Sequence, residues 1–280
     1  MFNLFTILIG GLLVAISPVL AGQAGSYDGP IFDAHVHYDE WNWDKVPIQD
    51  VLSKWKAAGV TRSLVSSTPD KGTLKLLEAA PGRVVPFFRP YRKFTHKGSW
   101  YKRPELIPHT EASLDTGVYA GLGEIHVIWP EHIHTPTVHR HLEIAMDRGM
   151  YIQPHLDADA LEELLKTWPG MKIIWAHAGY DASAQTVGAI MDTYPSVMAD
   201  LSLRAQDLRN ERGLDPAWRD LMVRHADRFM VGTDTFRDRD WFEYEALVAD
   251  HRMWLSYLPR GIAEKIAYKN AYEIFGAGNF

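Results

Sequence analysis

From Tyr27 onward, short apolar runs alternate with stretches in which apolar residues recur at helical spacing. The runs Ile31–His37, Arg62–Ser67, Val84–Tyr91 and Ala120–Val127 predict strands, and so do Met150–Leu156, Lys172–Ala178, Val197–Leu203 and Phe229–Asp234. Between them, Ile48–Ala58, Thr73–Ala79, Thr137–Arg148, Ala160–Trp168, Ala184–Tyr194 and Ala217–Ala226 carry the helical pattern. Asp157 or Asp159 is a suitable N-cap before Ala160, and Gly59, Gly149 and Gly170 mark helix exits. The tail predicts two more helices, Trp241–Leu258 and Ile262–Phe275. Pro and Gly interrupt the pattern over 92–117, where a long loop is expected before a short helix.

Strands alternating with helices over about 250 residues predict an α/β chain folded as a single (β/α)8 (TIM) barrel domain, residues 25–280. An open doubly wound sheet is the rival. No glycine-rich phosphate loop follows the first strand, which removes that fold's usual function. Neither an internal repeat nor a linker interrupts the chain.

Composition narrows the chemistry. The chain has 280 residues, 46% hydrophobic and 23% charged, enough for one large core. Residues 1–24 carry no charged side chain, and the apolar stretch Phe5–Leu20 is broken by Gly10, Gly11 and Pro18 and followed by small residues. A signal peptide cleaved after Ala21 or Ala24 is expected, hence a secreted or periplasmic protein without stable membrane insertion; an uncleaved anchor is the alternative. A net charge of −6 without a basic run argues against nucleic acid and anionic membrane surfaces as partners, with a homo-oligomer left open. The absence of Cys excludes disulfides, thiol catalysis and Cys-bound zinc. Any metal must then sit on His, Asp and Glu, which suits zinc, manganese, iron or nickel.

In such a barrel the chemistry lies where strands end, at the C-terminal face. The first strand ends in Asp33-Ala34-His35-Val36-His37. On an extended strand Asp33, His35 and His37 share one face, with the imidazoles about 7 Å apart. Later strand ends supply Glu124 and His126 on one face, then His155, His177 and Asp234. Unpaired, each would be costly to bury, and convergence on a divalent ion accounts for all of them together.

This set resembles the amidohydrolase superfamily, and most closely its amidohydrolase-related (amidohydrolase 2) branch of metal-dependent hydrolases. The resemblance runs from Ile31 to about Gly276. It is carried by Asp33-Ala34-His35-Val36-His37, Gly123-Glu124-Ile125, His155, Trp175-Ala176-His177-Ala178-Gly179, Gly232-Thr233-Asp234 and Asn270-Ala271-Tyr272-Glu273-Ile274-Phe275-Gly276. It implies that His35, His37 and His155 bind the metal, with Asp234 as fourth ligand or as base on bound water. His177 would be a base or electrophile in a one-metal enzyme and a ligand in a two-metal one. Glu124 would bridge two ions as in TatD-like deoxyribonucleases. In one-metal members, such as aminocarboxymuconate-semialdehyde decarboxylase, it would support the His ligands or contact substrate. One ion, most simply zinc, is favoured here.

Arg89 and Arg204 are candidate clamps for a substrate carboxylate, with structural ion pairs as the alternative. Trp41, with Trp43 and Tyr38, is a candidate pocket wall, and His126 a candidate substrate contact. His132-Ile133-His134 and His139-Arg140-His141 repeat the spacing but follow no strand, so solvated or packing roles are expected. His96, His109, His225 and His251 are read the same way. The expected function is metal-dependent hydrolysis of an amide, lactone or ester bond in a small carboxylate-bearing molecule, with Asp234 and His177 handling protons. Alternatives are non-oxidative decarboxylation, a TatD-like two-metal phosphodiesterase, and an exported metal- or solute-binding protein.

Overall fold

The computed structural model describes residues 26–210 and 213–276; the expected leader lies outside the described residues. Eight parallel strands follow one another in sequence order. They are β1 (Ile31–Val36), β2 (Val60–Val65), β3 (Val84–Phe88), β4 (Gly121–His126), β5 (Tyr151–His155), β6 (Lys172–Trp175), β7 (Val197–Asp200) and β8 (Phe229–Met230). Past Met230 the chain stays beside β1. Ala34 N donates to Val231 O, Asp234 N to His35 O and His37 N to Thr235 O, each at 2.8 Å. A parallel bridge between Val36 and Thr235 brings the ring to closure. The (β/α)8 barrel expected from the alternation is the fold found.

The helices lie within a few residues of their expected places. The helix Ala158–Thr167 starts at Asp157, whose carboxylate accepts from Ala160 N at 3.0 Å. The glycines expected at helix exits, Gly59, Gly149 and Gly170, all have left-handed φ. Over 92–117 two short 3-10 turns, Phe94–His96 and Trp100–Lys102, precede the helix Leu106–Leu114. The tail is more broken than its pattern suggested. Asp238–Phe242 and Tyr244–Leu255 are separate helices, and a π turn at Lys265–Lys269 interrupts the last one.

Inside the barrel, Phe32, Ala34, Leu64, Val85, Phe87, Ile174 and Met230 form the inner core. Phe275 from the last helix closes its lower end, with ring centroids 6.1 Å from Phe32, 5.8 Å from Phe87 and 5.9 Å from Tyr151. Each such fully buried side chain stabilises the fold by about 1.5–3 kcal/mol. With that end plugged, the polar strand ends open only toward the C-terminal face. Among the described residues no helix is long and apolar enough to cross a membrane.

Candidate metal centre and active-site cavity

Strand β1 does not keep its alternation to the end. Its register with β2 slips between Asp33 and Val36, so Asp33 parts company with the imidazoles. The Asp33 carboxylate instead accepts from Thr233 N at 2.9 Å, Thr233 Oγ1 at 2.8 Å, Tyr244 Oη at 2.7 Å and His35 N at 3.2 Å. It ties β1 to the segment carrying Asp234, and burial pushes its carboxyl up to about 6.

His35 and His37 turn their Nε2 atoms toward each other at 3.2 Å. The opposite nitrogens are fixed by acceptors: His35 Nδ1 donates to Asp200 Oδ2 at 3.1 Å, and His37 Nδ1 donates to the Ser66 carbonyl. With each imidazole neutral, as a metal ligand must be, both Nε2 atoms present lone pairs at the same point. Asp234 Oδ1 stands 3.5 and 3.2 Å from these nitrogens, and the Glu124 carboxylate 3.8 and 3.4 Å. All four side chains are buried.

Glu124 reaches this point because of the residue before it. Gly123 has φ +150°, and a Cβ there would lie 2.7 Å from Gln153 O on β5. Glu124 Oε2 faces His37, while Oε1 lies 3.8 Å from His35 Nε2 and also meets His155 Nδ1 at 2.9 Å and His177 Nε2 at 3.3 Å. His155 Nδ1 and His177 Nε2 are themselves 3.1 Å apart. His155 thus sits with His177, whose ring stacks on that of His35 with centroids 4.9 Å apart, so the two groups of imidazoles adjoin around Glu124.

The β6 strand stops at Trp175, short of the expected Ala178. The following turn holds His177 at φ 58° and Ala178 at φ 46°, a left-handed conformation costing on the order of 1–3 kcal/mol per residue. Asp200 holds that turn, accepting from His177 N at 3.2 Å and from Ser202 N at 3.1 Å. The Ser202 hydroxyl donates to Asp200 and accepts from His177 Nδ1 at 2.7 Å, which aims His177 Nε2 into the cavity. Asp200, Ser202 and Gln153, whose Nε2 donates to Asp200 Oδ2 at 3.0 Å, were missed as site residues. The signal for Asp200 was present, since it too is an acid ending an apolar run.

The electrostatics concentrate negative charge. Burial opposes ionisation of Glu124, yet His126, His155, His177 and His35 around it hold its carboxyl well below the ordinary range. Burial likewise opposes ionisation of Asp200 and Asp234, and neighbouring imidazoles still keep both low. Burial also disfavours a charged His35, but Asp200 and Asp234 outweigh it and pull its pKa well up. A proton on His35 answers these carboxylates when no ion does; a divalent cation would take that proton's place, and two imidazole nitrogens with two carboxylates are a donor set that fits one.

Above the cluster lies a cavity of about 280 Å³, with His37, Glu124, His155 and Asp234 in its wall. Phe94, Lys97, Tyr180, Leu203 and Phe236 complete the lining. Arg89 also lines it, but its guanidinium is engaged: Nη2 donates to Glu124 Oε2 at 2.5 Å and Nε to Glu124 O at 3.0 Å. Arg204 is turned away from the cavity, contrary to a substrate-clamping role. Its guanidinium donates to the carbonyls of Tyr180 and Ala182, pairs with Asp207 at 3.3 Å and lies over Trp218. Trp41 stands behind the wall, with its ring 4.8 Å from Phe94 and its Nε1 donating to Phe236 O at 3.0 Å. Tyr38 is buried against Val46, and Trp43 packs under Lys75. His126 stacks on His155 at 4.6 Å, and burial holds its pKa well below the ordinary value.

The other HxH pairs are used elsewhere. His132 stacks on Tyr101, His134 meets Glu163, His139 packs on Trp168, and His141 is buried between Thr110 and Thr137.

Fold and centre together define a barrel with a polyhistidine–carboxylate site of the amidohydrolase type. Residues 119–277, more than half of the chain, match the amidohydrolase family, and the chain belongs to it. Among solved structures it is similar to a protein described as a 2-pyrone-4,6-dicarboxylic acid hydrolase from Pseudomonas putida, at 16% identity and a TM-score of 0.63, over 90% of this chain and 99% of that one. It is also similar to a TatD homologue from Escherichia coli K12, at 15% identity and a TM-score of 0.62, over 87% of this chain and 97% of that one. No curated protein matches the sequence.

Proposed function

We propose that the protein is a metal-dependent hydrolase acting on an amide, lactone or ester bond of a small, carboxylate-bearing molecule. The observation that carries this reading is the pair of facing Nε2 atoms of His35 and His37, 3.2 Å apart, with Asp234 and Glu124 aimed at the same point. These four residues would hold a divalent ion, for which zinc is the simplest choice and manganese, iron or nickel the alternatives. His155 and His177, sharing Glu124, would take a second if two are bound. Such an ion would lower the pKa of bound water from about 15.7 toward ~7 and polarise a carbonyl.

The chain's own groups complete the chemistry. Asp234, kept ionised by the imidazoles beside it, is the base that takes the water's proton. Asp234 would then pass that proton to the leaving group, while His177, aligned through Ser202 and Asp200, would present Nε2 to the cavity as a second base. Arg89 holds the Glu124 carboxylate in place. The cavity of about 280 Å³ lies just below the ~300–1,000 Å³ usual for ligand pockets, which suits a compact substrate. The cyclic carboxylated ester named for the Pseudomonas neighbour is of the same chemical kind.

The test is turnover of metal-stripped and zinc-reloaded protein on a panel of esters, lactones and amides, with zinc counted per chain. Reloading restores hydrolysis, and Asp234→Asn lowers it at least about 100-fold while the fold, followed by circular dichroism, persists. Near-normal turnover in that variant overturns the mechanism. Carbon dioxide release in place of water uptake moves the protein to the lyases.

A further inference from the structure

The cavity contains one cation that is committed to no direct ion pair. Among the described residues, Lys97 has no carboxylate within ion-pair distance, although Asp39, Glu124 and Asp234 share its cavity. Its Nζ instead lies 5.7 Å from the centre of the Phe94 ring and 5.9 Å from that of Phe236. The cavity's other cation, Arg89, is buried and already bonded to Glu124 and Thr68, so it has little left to offer a ligand. Burial pushes the Lys97 ammonium down from its ordinary value, with the carboxylates opposing this, which marks it as incompletely solvated.

Both rings beside Lys97 have a further neighbour. Trp41 meets Phe94 edge to face at 84° and donates to the backbone of Phe236, and the Arg237 guanidinium lies 4.9 Å from the centre of the Phe236 ring. A pair of braced aromatic walls with an ammonium beside them accepts a flat apolar body at the walls and an anion at the cation.

We infer that Lys97 is the specificity-determining residue of this cavity, binding a carboxylate carried on a flat ring that packs against the Phe94 and Phe236 walls. This deepens the hydrolase reading and rests on it for the cavity being the active site. The loop between β3 and the helix Leu106–Leu114 thus selects the substrate, while the strand ends carry out the reaction. Trp41 is a positioning residue for the two walls.

The experiment is calorimetric titration of the zinc-loaded protein with benzoate, isophthalate and the uncharged isophthalamide. Wild type binds the carboxylates and prefers them to the diamide. Lys97→Met weakens isophthalate roughly 10- to 100-fold, the loss of one charge-assisted hydrogen bond, while leaving the diamide unchanged. Lys97→Arg restores most of the affinity. Lys102→Met, which removes a cation stacked on Tyr101 from the same loop, leaves binding unaltered. Equal affinity in Lys97→Met and wild type overturns the inference, as does an equal loss in Lys102→Met or the failure of wild type to bind either carboxylate. Lys97-dependent binding together with no hydrolysis of the ester, lactone and amide panel would remove the hydrolase reading and leave the anion site standing.

Discussion

Replacing Asp33 by Asn makes the protein relatively more stable as pH rises from about 4 to 7. Asp33 is fully buried, and burial lifts its carboxyl from the ordinary 3.8 to about 6. Below about pH 4 the group is protonated in both the folded and the unfolded chain. Between there and pH 6 the unfolded chain gives up the proton first, so the folded state binds more protons and stability falls as pH rises. Above pH 6 both states are ionised and the folded one carries the whole cost. At about 1.36 kcal/mol per pH unit that cost is about 3 kcal/mol. The amide that replaces the carboxyl never ionises, and it can serve Thr233 and Tyr244 because both hydroxyls can turn to accept. Urea unfolding of variant and wild type at pH 4, 5, 6 and 7 isolates the term, since every other titrating group is common to both. The difference in stability should shift toward the variant by roughly 3 kcal/mol across that range. A difference that does not change with pH refutes the reasoning.

Two further perturbations test how the site is built. Gly123→Ala places a Cβ 2.7 Å from Gln153 O at φ +150°, so a loss of about 1–3 kcal/mol is expected, with zinc affinity falling as Glu124 is displaced; thermal melting and a zinc titration read the two effects. Arg204→Met leaves the carbonyls of Tyr180 and Ala182 without their donor, costing about 2–4 kcal/mol. Because Arg204 faces away from the cavity, its loss should not selectively weaken carboxylates relative to amides, and a carboxylate-specific loss would restore it as a clamp.

Architecture and chemistry were legible in the chain to different depths. Alternating apolar runs and helical patterns identify the barrel, because strand and helix periods are local properties of consecutive residues. The same local logic finds His35, His37, Glu124, His155, His177 and Asp234, each a titratable group ending an apolar run. Which of them meet is not local. The register slip in β1 sends Asp33 to Tyr244 and leaves the two imidazoles facing each other, and it depends on pairing with β2. The left-handed turn at His177 depends on Asp200 and Ser202 of the next strand, so a run that reads as strand to Ala178 ends at Trp175. The arginines and Lys97 show the limit most plainly. Three cations of similar sequence setting have three different fates, with Arg89 held on Glu124, Arg204 on backbone carbonyls and Lys97 left to the cavity. A long flexible side chain goes to whichever acceptor the folded neighbours bring within reach, and those neighbours come from strands distant in the chain.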